Sequence, residues 1–113
     1  MALHLFAGIP VTDLAAASAW YEQLFGRPPD FVVGDSEAVW DLAEHRAVFI
    51  EVAPEHAGHA RHTVFLDDLE AMVAEISARG IEPAQRETYG NGVRKVTFHD
   101  PDGNEVGFGG PPA

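Results

Sequence analysis

The strongest constraint on this chain is that one order of elements occurs twice. Leu3 to Ile9 is apolar enough for a strand. Thr12 or Asp13 then caps a helix by accepting a hydrogen bond from a free backbone N–H. The helix runs from about Leu14 to Phe25, with Leu14, Ala17, Tyr21, Leu24 and Phe25 on one face. Gly26 is a left-handed stop, and Pro28 and Pro29 prevent continuation. Three short strands follow, at Phe31–Val33, Glu37–Leu42 and Ala47–Ala53, parted by turns at Gly34-Asp35 and Glu44-His45.

The order then restarts. Arg61–Leu66 reads as a strand, and Asp67 or Asp68 caps a helix to about Arg79. Leu69, Met72, Val73 and Ile76 carry its helical period, and Gly80 stops it. Strands are expected at about Ile81–Thr88, Val93–His99 and Asn104–Gly109. Gly90-Asn91-Gly92 supplies one hairpin turn, and Asp100-Pro101-Asp102-Gly103-Asn104 the next. Asp68 repeats Asp13, and Gly80 repeats Gly26 at nearly the same spacing, so a duplicated unit is expected. The first repeat covers about residues 1–53, the linker 54–60 and the second repeat 61–110, all within a single domain. The fold class is α+β: two βαβββ repeats forming a curved, partly closed mixed sheet. Helices would cover its convex side and a ligand cavity its concave side.

Composition narrows the partners. At 113 residues one core is feasible without staples. There is no cysteine, which excludes disulfides and thiolate chemistry and fits a reducing compartment, so a cytoplasmic protein is expected. The stretch Met1 to Pro10 lacks the basic start of a signal peptide, and no apolar run is long enough to span a membrane. Acids outnumber bases 18 to 7, for a net charge of −11. That argues against nucleic acid, which needs clustered Lys and Arg. It steers cationic ligands, or simply keeps the protein soluble.

Three stretches carry a resemblance over nearly the whole chain. They are Ile9-Pro10-Val11-Thr12-Asp13-Leu14 running into Trp20-Tyr21-Glu22-Gln23-Leu24-Phe25-Gly26, then Phe65-Leu66-Asp67-Asp68-Leu69 running into Ala78-Arg79-Gly80-Ile81, and finally Phe98-His99-Asp100-Pro101-Asp102-Gly103-Asn104. Together they resemble the vicinal oxygen chelate superfamily, which includes glyoxalase I, extradiol dioxygenases, and fosfomycin and bleomycin resistance proteins. The resemblance specifies no single activity, because a fold does not fix chemistry. It implies homodimers with clefts at or near the interface. For the enzymes, it also implies a divalent metal held by His and Glu from the first and last strand of each repeat.

Those metal positions map onto Phe6, Glu51, Arg61 and Gly107. Only Glu51 is a competent ligand, since Phe and Gly offer no donor atom and Arg stays protonated. A shift by one residue brings in His62 but turns its side chain to the other sheet face. A shift by two brings in His4. The expectation is therefore no cofactor, with Zn, Ni, Fe or Mn on Glu51, His4 and His62 as the alternative. Glu51 and Arg61 instead suit an ion pair, or the charged group of a ligand. The bland alternative makes Phe6 core, Arg61 an exposed residue near the linker and Gly107 a bend in the sheet.

The ligand-binding set read from the sequence is Phe6, Trp40, Phe49, Glu51, Arg61, Thr63, Phe65, Tyr89 and Gly107. Phe49 shares parity with Glu51, and Phe65 shares it with Arg61 and Thr63. Trp40 is an aromatic ligand wall or a core residue, and Tyr89 flanks the Gly-rich turn. One of Arg94 and Lys95 faces the cleft. His56, His59 and His62 recur every third residue, as an exposed strip or a weak metal site. His99 faces solvent or a turn, or acts as a general base. The leading function is metal-independent sequestration of an apolar or aromatic ligand, with a cationic one favoured, as in drug resistance by binding. The alternative is a metal-dependent lyase, isomerase, dioxygenase or thiol transferase. A scaffold domain would fill the cleft with its own side chains.

Overall fold

A computed structural model describes residues 2–113; Met1 lies outside the described residues. The elements run β1 (Leu5–Val11), α1 (Leu14–Phe25), β2 (Phe31–Val33), β3 (Glu37–Ala43) and β4 (Arg46–Val52). After one 3₁₀ turn (Pro54–His56) come β5 (Arg61–Phe65), α2 (Leu69–Ala78), β6 (Gln85–Thr88), β7 (Arg94–His99) and β8 (Glu105–Gly110). The duplicated βαβββ unit and the α+β class are thus present.

Local chemistry repeats as well. Asp13 and Asp68 each cap a helix, their carboxylates accepting from Ala16 N and Ala71 N at 3.0 Å. These side chains satisfy donors the first helical turn leaves free. Thr12, the alternative cap, is engaged elsewhere: its hydroxyl donates to Asp102 at 2.7 Å. Gly26 and Gly80 take φ of 78° and 93° after the helices, a conformation other residues rarely adopt.

The strands form two four-stranded mixed sheets, ordered β1-β4-β3-β2 and β5-β8-β7-β6. Among the described residues no ladder joins them, so the sheets do not close. In each sheet the first strand runs parallel to the last, and the other pairs are antiparallel. β1 is an edge strand, which tolerates the missing N–H of Pro10. The first strand expected from Leu3 begins two residues later, because its ladder with β4 spans Leu5 to Val11. The strand expected from Ile81 begins only at Gln85. Ile81 is buried in the core, and Pro83 has no N–H to offer a ladder.

One face of each sheet carries a helix, and the two helices touch. Between them lies one core spanning both repeats, including Ile9, Leu24, Trp40, Ile50, Phe98 and Phe108. Polar links also cross the repeats. Tyr21 Oη donates to Asp100 Oδ2 at 2.9 Å. Burial first, then the negative charge of Asp100 and this hydrogen bond, hold the Tyr21 phenol far above its ordinary pKa of 10.0. Arg79 donates to the carbonyls of Gln23 and Leu24 at the end of α1. Among the described residues no helix is long and apolar enough to cross a membrane.

Candidate functional site

Alternation along the strands decides what the uncovered faces display. On the first sheet Phe6, Gly8, Phe49, Glu51 and Glu37 point away from the helix. On the second the open face holds Arg61, Thr63, Phe65, Lys95, Gly107 and Gly109. This follows from the ladder partners Gly8 with Phe49, Glu37 with Glu51, Thr63 with Gly107 and Lys95 with Gly109.

The two faces share a device. Phe49 lies over Gly8, where an added Cβ would meet the ring Cζ at 2.7 Å. Phe65 lies over Gly109, whose Cβ would meet that ring at 3.2 Å. Each glycine lets an aromatic ring from the next strand lie flat on the sheet. Lys95 does the same at Gly107, its Cε falling 2.7 Å from where a Cβ would sit. Lys95 is therefore the residue on the open face. Arg94 turns to the helix side, where it pairs with Glu70 and donates to Pro111 O.

Several expected site residues stand apart from this arrangement. Trp40, read as a ligand wall, is fully buried on the helix side, its indole N–H donating to Arg27 O at 3.0 Å. Its ladder partner is Val48, not Phe49, so the β3–β4 register turns it inward. Phe6 is 56 % exposed and so is not core. The expected Glu51–Arg61 ion pair does not form, because Arg61 Nε contacts Glu105 Oε2 at 3.1 Å, its cross-strand neighbour. Tyr89 sits past the end of β6 in the turn, its N–H bonded to Val93 O. His99 is exposed, 4.0 Å from Glu105.

The register also revises the metal positions. Gly8 and Thr63 are equivalent first-strand residues, and their partners are Phe49 and Gly107. Glu51 is instead the counterpart of Gly109, because the second repeat has a longer path from its helix cap to its last strand. The paired open-face positions therefore offer Phe6 with Ala47, Gly8 with Phe49, Pro10 with Glu51, Arg61 with Glu105, Thr63 with Gly107 and Phe65 with Gly109. Only Glu51 and Glu105 among them carry metal-ligating groups, one in each sheet, and Arg61 engages Glu105. This donor set does not fit the divalent metal of the related enzymes. The alternative set is dispersed. His62 lies on the helix side of β5, and His4 contacts His45, with their Nδ1 atoms 3.1 Å apart. His56, His59 and His62 line one recess of about 420 Å³ with Arg61. Among the described residues, no three His, Cys, Asp or Glu side chains converge as a metal site.

What the open face holds instead is a pair of like charges. Glu37 and Glu51 are directly opposite, both half-buried, and among the described residues neither has a cationic partner. Like charges so placed are unfavourable unless something compensates them. Glu37 escaped the sequence reading, though its antiparallel neighbour was noted; only the β3–β4 register unites them. A further recess, of about 460 Å³, opens between β1 and β5 and is lined by Leu5, Ala7, Leu42, Val48, His62 and Val64 among others. None of these apolar residues carried a sequence signal distinguishing it from core.

The family model described as the Glyoxalase/Bleomycin resistance protein/Dioxygenase superfamily matches residues 2–108. The chain belongs to this superfamily. Among solved structures, a glyoxalase/bleomycin resistance protein from Catenulispora acidiphila DSM 44928 is 52% identical, with 98% of this chain and 100% of that one covered and a TM-score of 0.93. A bleomycin-binding protein solved in complex with bleomycin is 19% identical over 96% of this chain and 98% of that one, at TM-score 0.78. A lactoylglutathione lyase from Agrobacterium tumefaciens is 21% identical over 97% and 94%, at TM-score 0.76. These last two likenesses establish the superfamily fold alone. Comparison with curated proteins gives no match.

Proposed function

We propose that this chain sequesters a small organic molecule without a metal, in the manner of the bleomycin-binding member of its superfamily. The ligand is apolar or aromatic and carries a cationic group. One observation carries this reading: the uncompensated Glu37–Glu51 pair shares the open face with Phe6 and Phe49. A cation beside the carboxylates relieves their repulsion, while the rings supply apolar contact and cation–π attraction. The net charge of −11 steers such a ligand inward. The poor donor set at the paired strand positions supports metal independence.

A second copy of the chain completes the cleft. Phe6, Phe31, Val33 and Phe65 are exposed on the open faces, and each is about half or more accessible. Apolar residues gathered on one face mark an association surface. The absence of cysteine supports a cytoplasmic setting.

The test is calorimetric titration with metal-free bleomycin and simpler cationic aromatics, beside metal analysis of untagged protein. Binding should weaken about tenfold or more in Phe49→Ala, the scale of a central contact residue, and should also weaken in Glu51→Gln. Sedimentation should return a dimer. No binding across the ligand panel would overturn the proposal. So would one metal per chain that disappears in Glu51→Gln, which would restore the enzyme reading.

A further inference from the structure

The turn between β3 and β4 holds a residue in a costly backbone conformation. His45 takes φ of 62°, and among the described residues it is the one non-glycine residue on the left-handed side. Glycine or asparagine usually fills such a turn position, because a larger side chain crowds its own backbone. Strain of this kind gathers at functional sites, so the His45 imidazole is the group to follow.

That ring meets His4, which stands just before β1. Leu5 N donates to His45 O at 2.8 Å, so the backbone itself keeps the two histidines adjacent. The rings lie edge to face with centroids 4.0 Å apart, and their Nδ1 atoms are 3.1 Å apart. Beyond His45, Glu44 Oε1 lies 3.3 Å from Nε2. A carboxylate there favours a proton on Nε2 and leaves Nδ1 with its lone pair. The same carboxylate–imidazole arrangement orients histidines that ligate metals. Two imidazole nitrogens sharing a zinc-type ion at about 2.0–2.1 Å stand roughly 2.9–3.4 Å apart, for bond angles of about 90–110°. The separation of 3.1 Å falls inside that interval. Both rings border a recess of about 320 Å³, together with Phe6, Asp41, Glu44 and Arg46. Two acids against one base favour a cation there, and among the described residues Asp41 forms no ion pair.

We propose that His4 and His45 together bind a divalent transition metal ion of the zinc type, each through Nδ1. Imidazole nitrogen suits such ions. Water fills the other coordination positions, because among the described residues no third ligating side chain converges. Without metal, His4 Nδ1 donates to His45 Nδ1; as the ion enters, that proton passes through solvent to His4 Nε2. The metal positions of the related enzymes draw on strands of both repeats, whereas both ligands here belong to the first repeat. Phe6 is shared with the open face, so the recess lies at the hairpin end of that face. Glu37, Phe49 and Glu51 do not border it, and the inference does not rest on the ligand proposed for them.

The experiment titrates Zn²⁺ alone into untagged, chelator-treated protein, followed by calorimetry, thermal melting and NMR. One Zn²⁺ per chain should bind, the melting temperature should climb with zinc concentration by mass action, and the His4 and His45 ring signals should shift. His45→Gly removes a ligand from a backbone position that glycine fits, so without metal this variant should melt at or above the native temperature. Its zinc affinity should nonetheless fall at least about tenfold, and His4→Gln should lower it as much. His59→Gln, in the other histidine-bearing recess, should bind zinc as the native protein does. No zinc binding by the native protein would overturn the proposal, as would unchanged affinity in both His45→Gly and His4→Gln, or an equal loss in His59→Gln. Glu51→Gln should keep its zinc, and bleomycin binding is read on metal-free protein, so either proposal can fail without the other.

Discussion

Replacing Asn104 with alanine removes the side chain that ties three segments together. Asn104 is fully buried. Its Oδ1 accepts from Gly58 N and Ala60 N, both at 3.0 Å, which fixes the end of the linker. Its Nδ2 donates to Pro10 O at 2.8 Å and to Asp100 Oδ2 at 2.9 Å, reaching β1 and the final turn. Alanine strands two backbone N–H groups and one carbonyl. Each stranded group costs about 1 kcal/mol, the lower end of the range, because these sites are only partly buried. The bond to the Asp100 carboxylate is worth about 1–2 kcal/mol more, as its acceptor is charged. Asp100 keeps three other donors, Tyr21 Oη, Asp102 N and Asn104 N, so its carboxylate is not abandoned. The expected loss is ~4 kcal/mol, a large share of a typical domain's ~5–15 kcal/mol. Urea unfolding followed by tryptophan fluorescence measures it. With a slope of ~1.5 kcal/mol/M the midpoint should fall by ~2–3 M, with the slope unchanged. A loss below ~1 kcal/mol would refute the reasoning, because it would mean water replaces the amide at little cost.

Two further outcomes follow from the same structure. Tyr21→Phe removes one hydroxyl-to-carboxylate bond and should cost about 1–2 kcal/mol in the same assay, clearly less than Asn104→Ala. His62 predicts acid sensitivity: well above pH 6.5 the ring is neutral in both folded and unfolded chains and adds no slope. Below it the unfolded ring takes a proton that the folded ring resists, so stability declines as pH falls toward the depressed folded value. Unfolding midpoints compared across that window should show this slope in the native protein and a smaller one in His62→Phe; identical slopes would count against a buried, neutral His62.

Much of the molecule was legible because the rules involved are local. The caps at Asp13 and Asp68, the left-handed stops at Gly26 and Gly80 and the periods of both helices each depend on residues within a turn or two. The parity of Phe49 with Glu51, and of Phe65 with Thr63 and Arg61, needed only the alternation of a strand. Trp40 stayed open between ligand wall and core because its parity relative to Phe49 depends on how β3 meets β4, and a one-residue change of register reverses the face. Arg61 was paired with Glu51 for the same reason: its actual partner, Glu105, lies across a parallel ladder whose register the sequence does not state.

The sequence by itself determined a chain that folds as a doubled βαβββ unit, because element order, capping and turn chemistry are written in short stretches. Only the tertiary structure decided that the two sheets stay separate and that Glu37 faces Glu51. It alone placed a glycine under Phe49 and another under Phe65, and left the Nδ1 of His62 buried with no partner among the described residues. Each of those features depends on contacts between residues far apart in the chain. Strand register and the fit between sheets set such contacts, and neither leaves a local mark in the order of the amino acids.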